Sequence, residues 1–301
     1  MNLPVNTLAA HTGAQSRNLY GMGWMLLSAM CLTAVNACIR QLAHDIHPFE
    51  VVFLRASFGL LAMAPVFLRK GFAPLRTQKM HLHIARCVIH TISMLMFFYA
   101  LSMTPLAKAT ALKFTAPLFA CMLAVVFLGE GLRTRRVVAL LMGFAGTWIV
   151  LRPGVAEFDL GGMWVILAAA VFAVAMIFIK ILSRTESSLT STAYMGIFVT
   201  PLSLAVALPY WTWPEWHHLP YMIAFGVLGT IGQIALAQSF READASAVLP
   251  FDFTKMIWAA LFGFMLFGEV PDLWTLIGGA VIFGAVTYIA IREGGRGSVG
   301  G

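Results

Sequence analysis

The sequence predicts an all-α polytopic membrane protein whose ten transmembrane helices form a 5+5 inverted repeat. Three observations carry this. The chain is too apolar for a water-soluble fold, its basic residues fall on alternate connections between apolar runs, and a motif near the middle returns near the C-terminus.

Of the 301 residues, 60% are apolar and 11% are charged, against roughly 25% charged in a soluble domain. A span needs about 20 mostly apolar residues, because the hydrocarbon layer is about 30 Å thick and a helix rises about 1.5 Å per residue. Backbone groups in lipid must be paired within a helix or a closed barrel, and the apolar runs here are too long for barrel strands. Helices are predicted over 20–43, 49–69, 83–101, 106–128, 135–152, 160–182, 189–210, 219–240, 244–267 and 272–292. The first follows a polar tail, 1–19, and its apolar run exceeds the roughly 7 to 15 residues of a signal-peptide core, so it is expected to remain as a span.

With the N-terminus inside, the inner connections hold in turn Arg17, then Arg69, Lys70, Arg76 and Lys79, then Arg133, Arg135 and Arg136, then Lys180, Arg184, Arg241, Arg292 and Arg296. The outer connections hold only Arg152. This bias of thirteen to one predicts cytoplasmic termini, with 1–19 and 294–301 as tails, in a multi-pass protein of the inner (plasma) membrane. The net charge of +7 is then a topology signal, and nucleic acid is not expected as a partner. Trp148, Trp164, Trp211, Trp213, Trp216 and Trp274 fall at outer ends, where indoles favour the interface, so Pro209 to His218 reads as an outer interfacial loop. Cys31, Cys38, Cys87 and Cys121 lie in apolar runs with no C-x-x-C pair, which predicts packing and no metal. Gly143, Gly146, Gly226, Gly229, Gly232, Gly278, Gly279 and Gly284 are spaced for close helix contacts.

Phe127-Leu128-Gly129-Glu130 matches Leu266-Phe267-Gly268-Glu269, and the same register pairs Lys113-Phe114-Thr115 with Asp252-Phe253-Thr254. Duplication is the reading, with a first repeat over 20–154 and a second over 155–293. Five spans per copy is odd, so the second copy enters the membrane from the opposite side, a layout suited to alternating access. Glu130 is then cytoplasmic and Glu269 external, each expected to cap or brace the loop that follows its helix.

A charge near the bilayer centre costs about 2.5 to 3.5 kcal/mol on insertion scales, so one that persists faces a cavity or a partner. Arg40, Arg55, Arg86, Lys108, Lys113 and Lys255 are not explained by loops. Arg40 and Lys108 are near enough to outer helix ends to snorkel, and Arg86 lies near the inner end of its helix. Lys113 falls about 6 Å outside the middle of the fourth span and Asp252 about 5 Å inside the middle of the ninth, at about 1.5 Å per residue. Both helices carry a proline, Pro117 and Pro250, and interrupted helices at matching places in two repeats point to a midplane substrate site. Arg55, Lys113, Asp252 and Lys255 are therefore candidate substrate-binding residues for a polar, anionic or zwitterionic solute, with Asp252 the candidate coupling carboxylate. A purely structural ion pair between the halves is the alternative. Arg86 and His90 share a helix face and extend the site inward, and Asn36 and Gln233 are weaker candidates. His44, Asp45, His47 and Glu50 crowd the first outer loop, read as solvated turn residues; a metal or acid/base site there would suit an integral membrane enzyme acting at the outer interface.

The paired Gly-Glu endings, F-T-A-P at 114–117, P-F-D-F-T at 250–254 and L-R-P-G at 151–154 give the chain a family resemblance. It resembles the EamA-like branch of the drug/metabolite transporter superfamily over nearly all of 20–293, and looks most like the set that includes S-adenosylmethionine and riboflavin uptake carriers. The resemblance implies a ten-helix inner-membrane carrier with a central cavity shared by two halves, and it is Arg55, Arg86 and the Gly-Glu pair that match residue types common in such relatives. A small-molecule substrate and the lipid bilayer are the expected partners, homodimerisation is left open, and no cofactor or catalytic residue is expected.

Overall fold

The computed structural model describes residues 5–71, 77–116, 118–120, 122–123, 134–152, 159–182, 186–242, 251–252 and 254–294. Among these residues there is no strand. The helices are α1 (Val5–Leu42), α2 (Pro48–Ala62), α3 (Ala64–Lys70), α4 (Met80–Met103), α5 (Leu106–Lys113), α6 (Thr134–Leu151), α7 (Leu160–Leu182), α8 (Ser188–Ala207), α9 (Leu219–Glu242), α10 (Thr254–Phe267) and α11 (Leu273–Gly294). Short 3₁₀ turns at Leu208–Tyr210 and Trp216–His218 bracket the loop before α9.

Among the described residues six stretches are long and apolar enough to cross a membrane: Tyr20–Leu42, Pro48–Arg69, Met80–Met103, Leu160–Ile179, Thr190–Tyr210 and Trp216–Leu236. Leu140–Leu151, Thr254–Phe267 and Leu273–Ala285 are shorter apolar helices. The protein is thus a multi-pass helical membrane protein.

Local chemistry explains most helix ends. His47 opens α2 by accepting the Phe49 N–H at 3.3 Å, with Pro48 in the first turn, where a missing N–H costs nothing. Asp159 accepts the Gly162 N–H at 2.8 Å before α7, Ser187 the Thr190 N–H at 3.0 Å before α8, and Asp272 the Thr275 N–H at 3.1 Å before α11. Gly268, at φ +66°, closes α10 in the left-handed conformation that glycine adopts without a Cβ clash. Its N–H reaches Phe264 O at 3.0 Å, and the Glu269 N–H reaches Gly263 O at 3.0 Å.

Two predicted spans change on folding. The second, 49–69, divides at Met63, because Pro65 has no N–H to return to the preceding turn. In the fourth, α5 ends at Lys113, turns through Phe114 and Thr115, and resumes as helix at Ala116. Pro117, Cys121, Glu130 and Pro250 lie outside the described residues.

The most extensive packing joins early helices to late ones: α1 with α9, α4 with α7, α6 with α11 and α2 with α8. The α6–α11 crossing brings backbones together. A Cβ on Gly278 would lie 2.6 Å from Gly146 O, and one on Gly146 would lie 2.8 Å from Gly278 O. Backbone cannot swing aside as a side chain can. Gly278→Ala is expected to destabilise the protein by about 1–3 kcal/mol through overpacking, read as a lowered Tm in detergent. Gly284, whose Cβ would meet nothing within 4 Å, is the control that should tolerate alanine, and it departs from the close-contact role expected of it.

Candidate functional site

α5 is surrounded by protein: Leu106, Ala107, Ala109, Thr110, Ala111 and Leu112 are all buried. Lys113, at its end, is exposed all the same, so its side chain projects into space inside the bundle rather than into lipid. The Nζ stands 3.8 Å from the centroid of Phe97 on α4, a cation–π contact. Lys113 also lies within electrostatic range of Lys255, Arg55 and Asp252.

The other charged groups approach from three more helices. Arg55 on α2 donates to Met94 Sδ at 3.5 Å and sits 5.8 Å from the Phe98 ring centroid. Arg86 on α4 is buried and donates to Met195 Sδ on α8 at 3.1 Å, while its Nε and Nη1 have no acceptor. His90, one turn further along, packs 5.5 Å from Phe172 on α7 and lies in the field of Arg55, Arg86 and Lys113. Asp252 and Lys255 form an ion pair one turn apart. Six of the predicted site residues are therefore brought together, and the cross-half pair between Lys113 and Asp252 is not made. Lys255 is closer in sequence and geometry, and it takes the carboxylate.

Asn36 is half-buried on α1 and Gln233 is exposed on α9. No hydrogen bond among the described residues joins either to the cluster. Trp258 on α10 has a buried Nε1–H with no acceptor among the described residues. It lies three residues from Lys255 on an amphipathic-looking run, where an indole reads as ordinary packing.

The two matching triplets share a local hydrogen bond. Thr115 Oγ1 donates to Leu112 O at 2.7 Å, and Thr254 Oγ1 donates to Phe251 O at 2.7 Å. Equivalent positions thus make the same hydrogen bond beside Lys113 and Asp252.

A second charged layer closes one end of the bundle, the end expected to be external. Glu269 accepts from Arg40 Nη1 at 2.6 Å and from the Leu106 N–H at 3.1 Å, tying α1 and the start of α5 to the end of α10. Lys108 pairs with Asp159 at 2.6 Å and Arg152 with Asp272 at 2.5 Å. Arg40 and Lys108, expected to snorkel, are instead paired with carboxylates. The Glu269 carboxylate, expected to cap or brace the loop after its helix, instead reaches α1 and the start of α5, contacts that could not be read from spacing. The solvated-turn reading of Glu50 also fails. Glu50 is fully buried and its Oε2 accepts from the Thr212 N–H and hydroxyl, each at 3.0 Å. That contact anchors the loop carrying Trp213 and Trp216, which are 84% and 89% exposed, as an interfacial loop requires.

Asp45, His217 and His218 bring potential ligand atoms within 4.8 Å of one another. The protonation pattern favours a brace over a metal site. His218 Nδ1 accepts the Glu215 N–H at 3.0 Å, so neutral His218 carries its proton on Nε2, facing Asp45 at 3.4 Å. His47 stacks on Tyr210 at 4.1 Å, and burial pushes its imidazole below the ordinary value, which suits its role as an acceptor.

Burial alone would raise the Asp272 carboxyl, but hydrogen bonds from the Thr275 hydroxyl and N–H, with Arg152 and Lys108 nearby, hold it below the usual carboxylate range. A depressed carboxylate stabilises the fold above its unfolded-chain pKa of about 3.9, and that contribution is lost as pH falls through the folded value. Asp272→Asn should therefore lower Tm at neutral pH and converge with the parent in acid. A Tm gap that is independent of pH would contradict this.

The profile of the EamA-like transporter family matches the chain twice, over residues 19–152 and 159–291. An S-adenosylmethionine uptake transporter of Rickettsia felis is 31% identical over 91% of this chain and 94% of its own length. A riboflavin transporter of Vibrio cholerae is 30% identical over 91% and 94%, and a pseudopaline exporter of Pseudomonas aeruginosa is 25% identical over 90% and 95%. A solved crystal structure of a protein aligns over 92% of this chain and 98% of its own, with a TM-score of 0.62 at 19% identity, a likeness of fold alone.

Proposed function

Because the chain belongs to the EamA-like transporter family, we propose that it is a secondary carrier moving a small polar organic metabolite across the plasma membrane by alternating access, through proton coupling or exchange. The observation that carries this is the convergence of Arg55, Arg86, His90, Lys113 and the Asp252–Lys255 pair from α2, α4, α5 and α10 inside an apolar bundle. Charges that cost several kcal/mol to hold in a membrane are kept where a solute would pass.

Helix pairing supports two equivalent halves. Exchanging α1 with α7, α2 with α8, α4 with α9, α5 with α10 and α6 with α11 turns the α1–α9 contact into α7–α4, α2–α9 into α8–α4, and α1–α10 into α7–α5. All of these contacts are present, and α2–α8, α5–α10 and α6–α11 map onto themselves. An interface of that symmetry has two related ways to close, one for each side. The ion pairs of Glu269, Asp159 and Asp272 are then the closed external side, and the termini are cytoplasmic on the charge bias of the connections. At the other end, Thr77 donates to Glu186 at 2.7 Å, which links two connections of the opposite face.

Purified protein in sealed vesicles is expected to accumulate a metabolite against protein-free vesicles. Loss of accumulation when the pH gradient is collapsed would assign proton coupling, and persistence with trans substrate would assign exchange. Chemical conversion of a solute without vectorial uptake would refute the carrier.

A further inference from the structure

Resting on the carrier reading, we infer that the transported solute is a net organic anion, carrying carboxylate or phosphate groups that no ammonium or sulfonium of its own balances. Arg55, Arg86 and Lys113 stand on α2, α4 and α5, and their contacts among the described residues are the thioethers of Met94 and Met195 and the faces of Phe97 and Phe98. Sulfur and aromatic faces are weak substitutes for a carboxylate, and buried guanidinium N–H groups without an acceptor are costly. Arg86 is 7% exposed and leaves two nitrogens unsatisfied.

The one described carboxylate in the cluster, Asp252, is already taken by Lys255. The other described carboxylates nearest in role are committed elsewhere: Glu269 to Arg40, Asp159 to Lys108, Asp272 to Arg152 and Glu186 to Thr77. Among the described residues the cluster therefore holds three cations in excess. A planar guanidinium with free N–H groups is matched by the two oxygens of a carboxylate or phosphate. A zwitterion would bring a cation with no anion left among these described carboxylates to receive it. S-adenosylmethionine, with a sulfonium and an ammonium against one carboxylate, is a net cation and meets the same repulsion.

The test is uptake by the full-length protein in sealed vesicles, using a panel balanced among net anions (succinate and glycerol 3-phosphate included), zwitterions, neutral solutes with riboflavin, and cations with S-adenosylmethionine. At least one net anion should accumulate. Arg86→Gln and Lys113→Gln should each lower that uptake by about tenfold or more, while Arg86→Lys and Lys113→Arg, which keep the charge, retain most of it. Size-exclusion profile and Tm show that each variant is folded. Accumulation of S-adenosylmethionine, riboflavin or a zwitterion with no anion overturns the anion assignment and leaves the carrier standing. Anion uptake unchanged in both glutamine variants overturns the assignment of these cations. Accumulation of nothing in the panel counts against the carrier itself.

Discussion

Glu269→Gln is expected to lower the stability of the protein by about 3 kcal/mol, the lower end for breaking a buried ion pair from one side. The amide keeps an oxygen for the Leu106 N–H, so the change isolates the charge. Arg40, whose side chain is 11% exposed, is left with the Phe267 ring, 4.6 Å from its guanidinium carbon, as its nearest compensation. A cation held that deep without an anion is the costly species. The double variant Arg40→Gln with Glu269→Gln should recover much of the lost Tm, because no orphan charge remains. Since Glu269 also joins α1, α5 and α10, the single variant should open the external side, raising labelling of a single cysteine at position 113, in a cysteine-free background, by a membrane-impermeant thiol reagent. Unchanged Tm and labelling would remove Glu269 from the closure.

Asp252→Asn is expected to cut transport at least about tenfold and to flatten its pH dependence. Removing the carboxylate releases Lys255 beside Lys113 and Arg55, so a fourth uncompensated cation joins the cluster. Substrate is then held by a stronger field, and release slows. If Asp252 is also where the coupled proton binds, uptake by the asparagine variant no longer responds to an imposed pH gradient. Asp252→Glu keeps the charge and should retain both. A fully active Asp252→Asn carrier with its pH dependence intact would deny the coupling role.

How much was legible from the sequence differs between helices and contacts. The predicted spans 83–101, 160–182 and 219–240 differ by only a few residues from α4, α7 and α9, because in lipid each backbone group must find its partner locally and hydropathy reads that requirement directly. The division at Met63 was also local, since Pro65 marks it, yet a run of apolar residues masked it. Lys113, Asp252, Arg55 and Arg86 stood out because charge inside an apolar run is rare. Arg40 and Lys108 were misread for the opposite reason. Near a helix end, a long basic side chain has an inexpensive route to water, and sequence does not say whether a carboxylate waits nearer.

The sequence by itself determined the helical membrane class, the family and the positions at which charge enters the apolar interior, since these follow from periodicity, composition and motif register. Only the tertiary structure decided who pairs with whom. Arg40 and Glu269 are 229 residues apart, and no local pattern encodes a contact of that range. Asp252 turned to Lys255, three residues away, instead of to Lys113, because so near a partner is delivered at almost no cost in closing a loop. That choice leaves Lys113, Arg55 and Arg86 facing thioethers and rings.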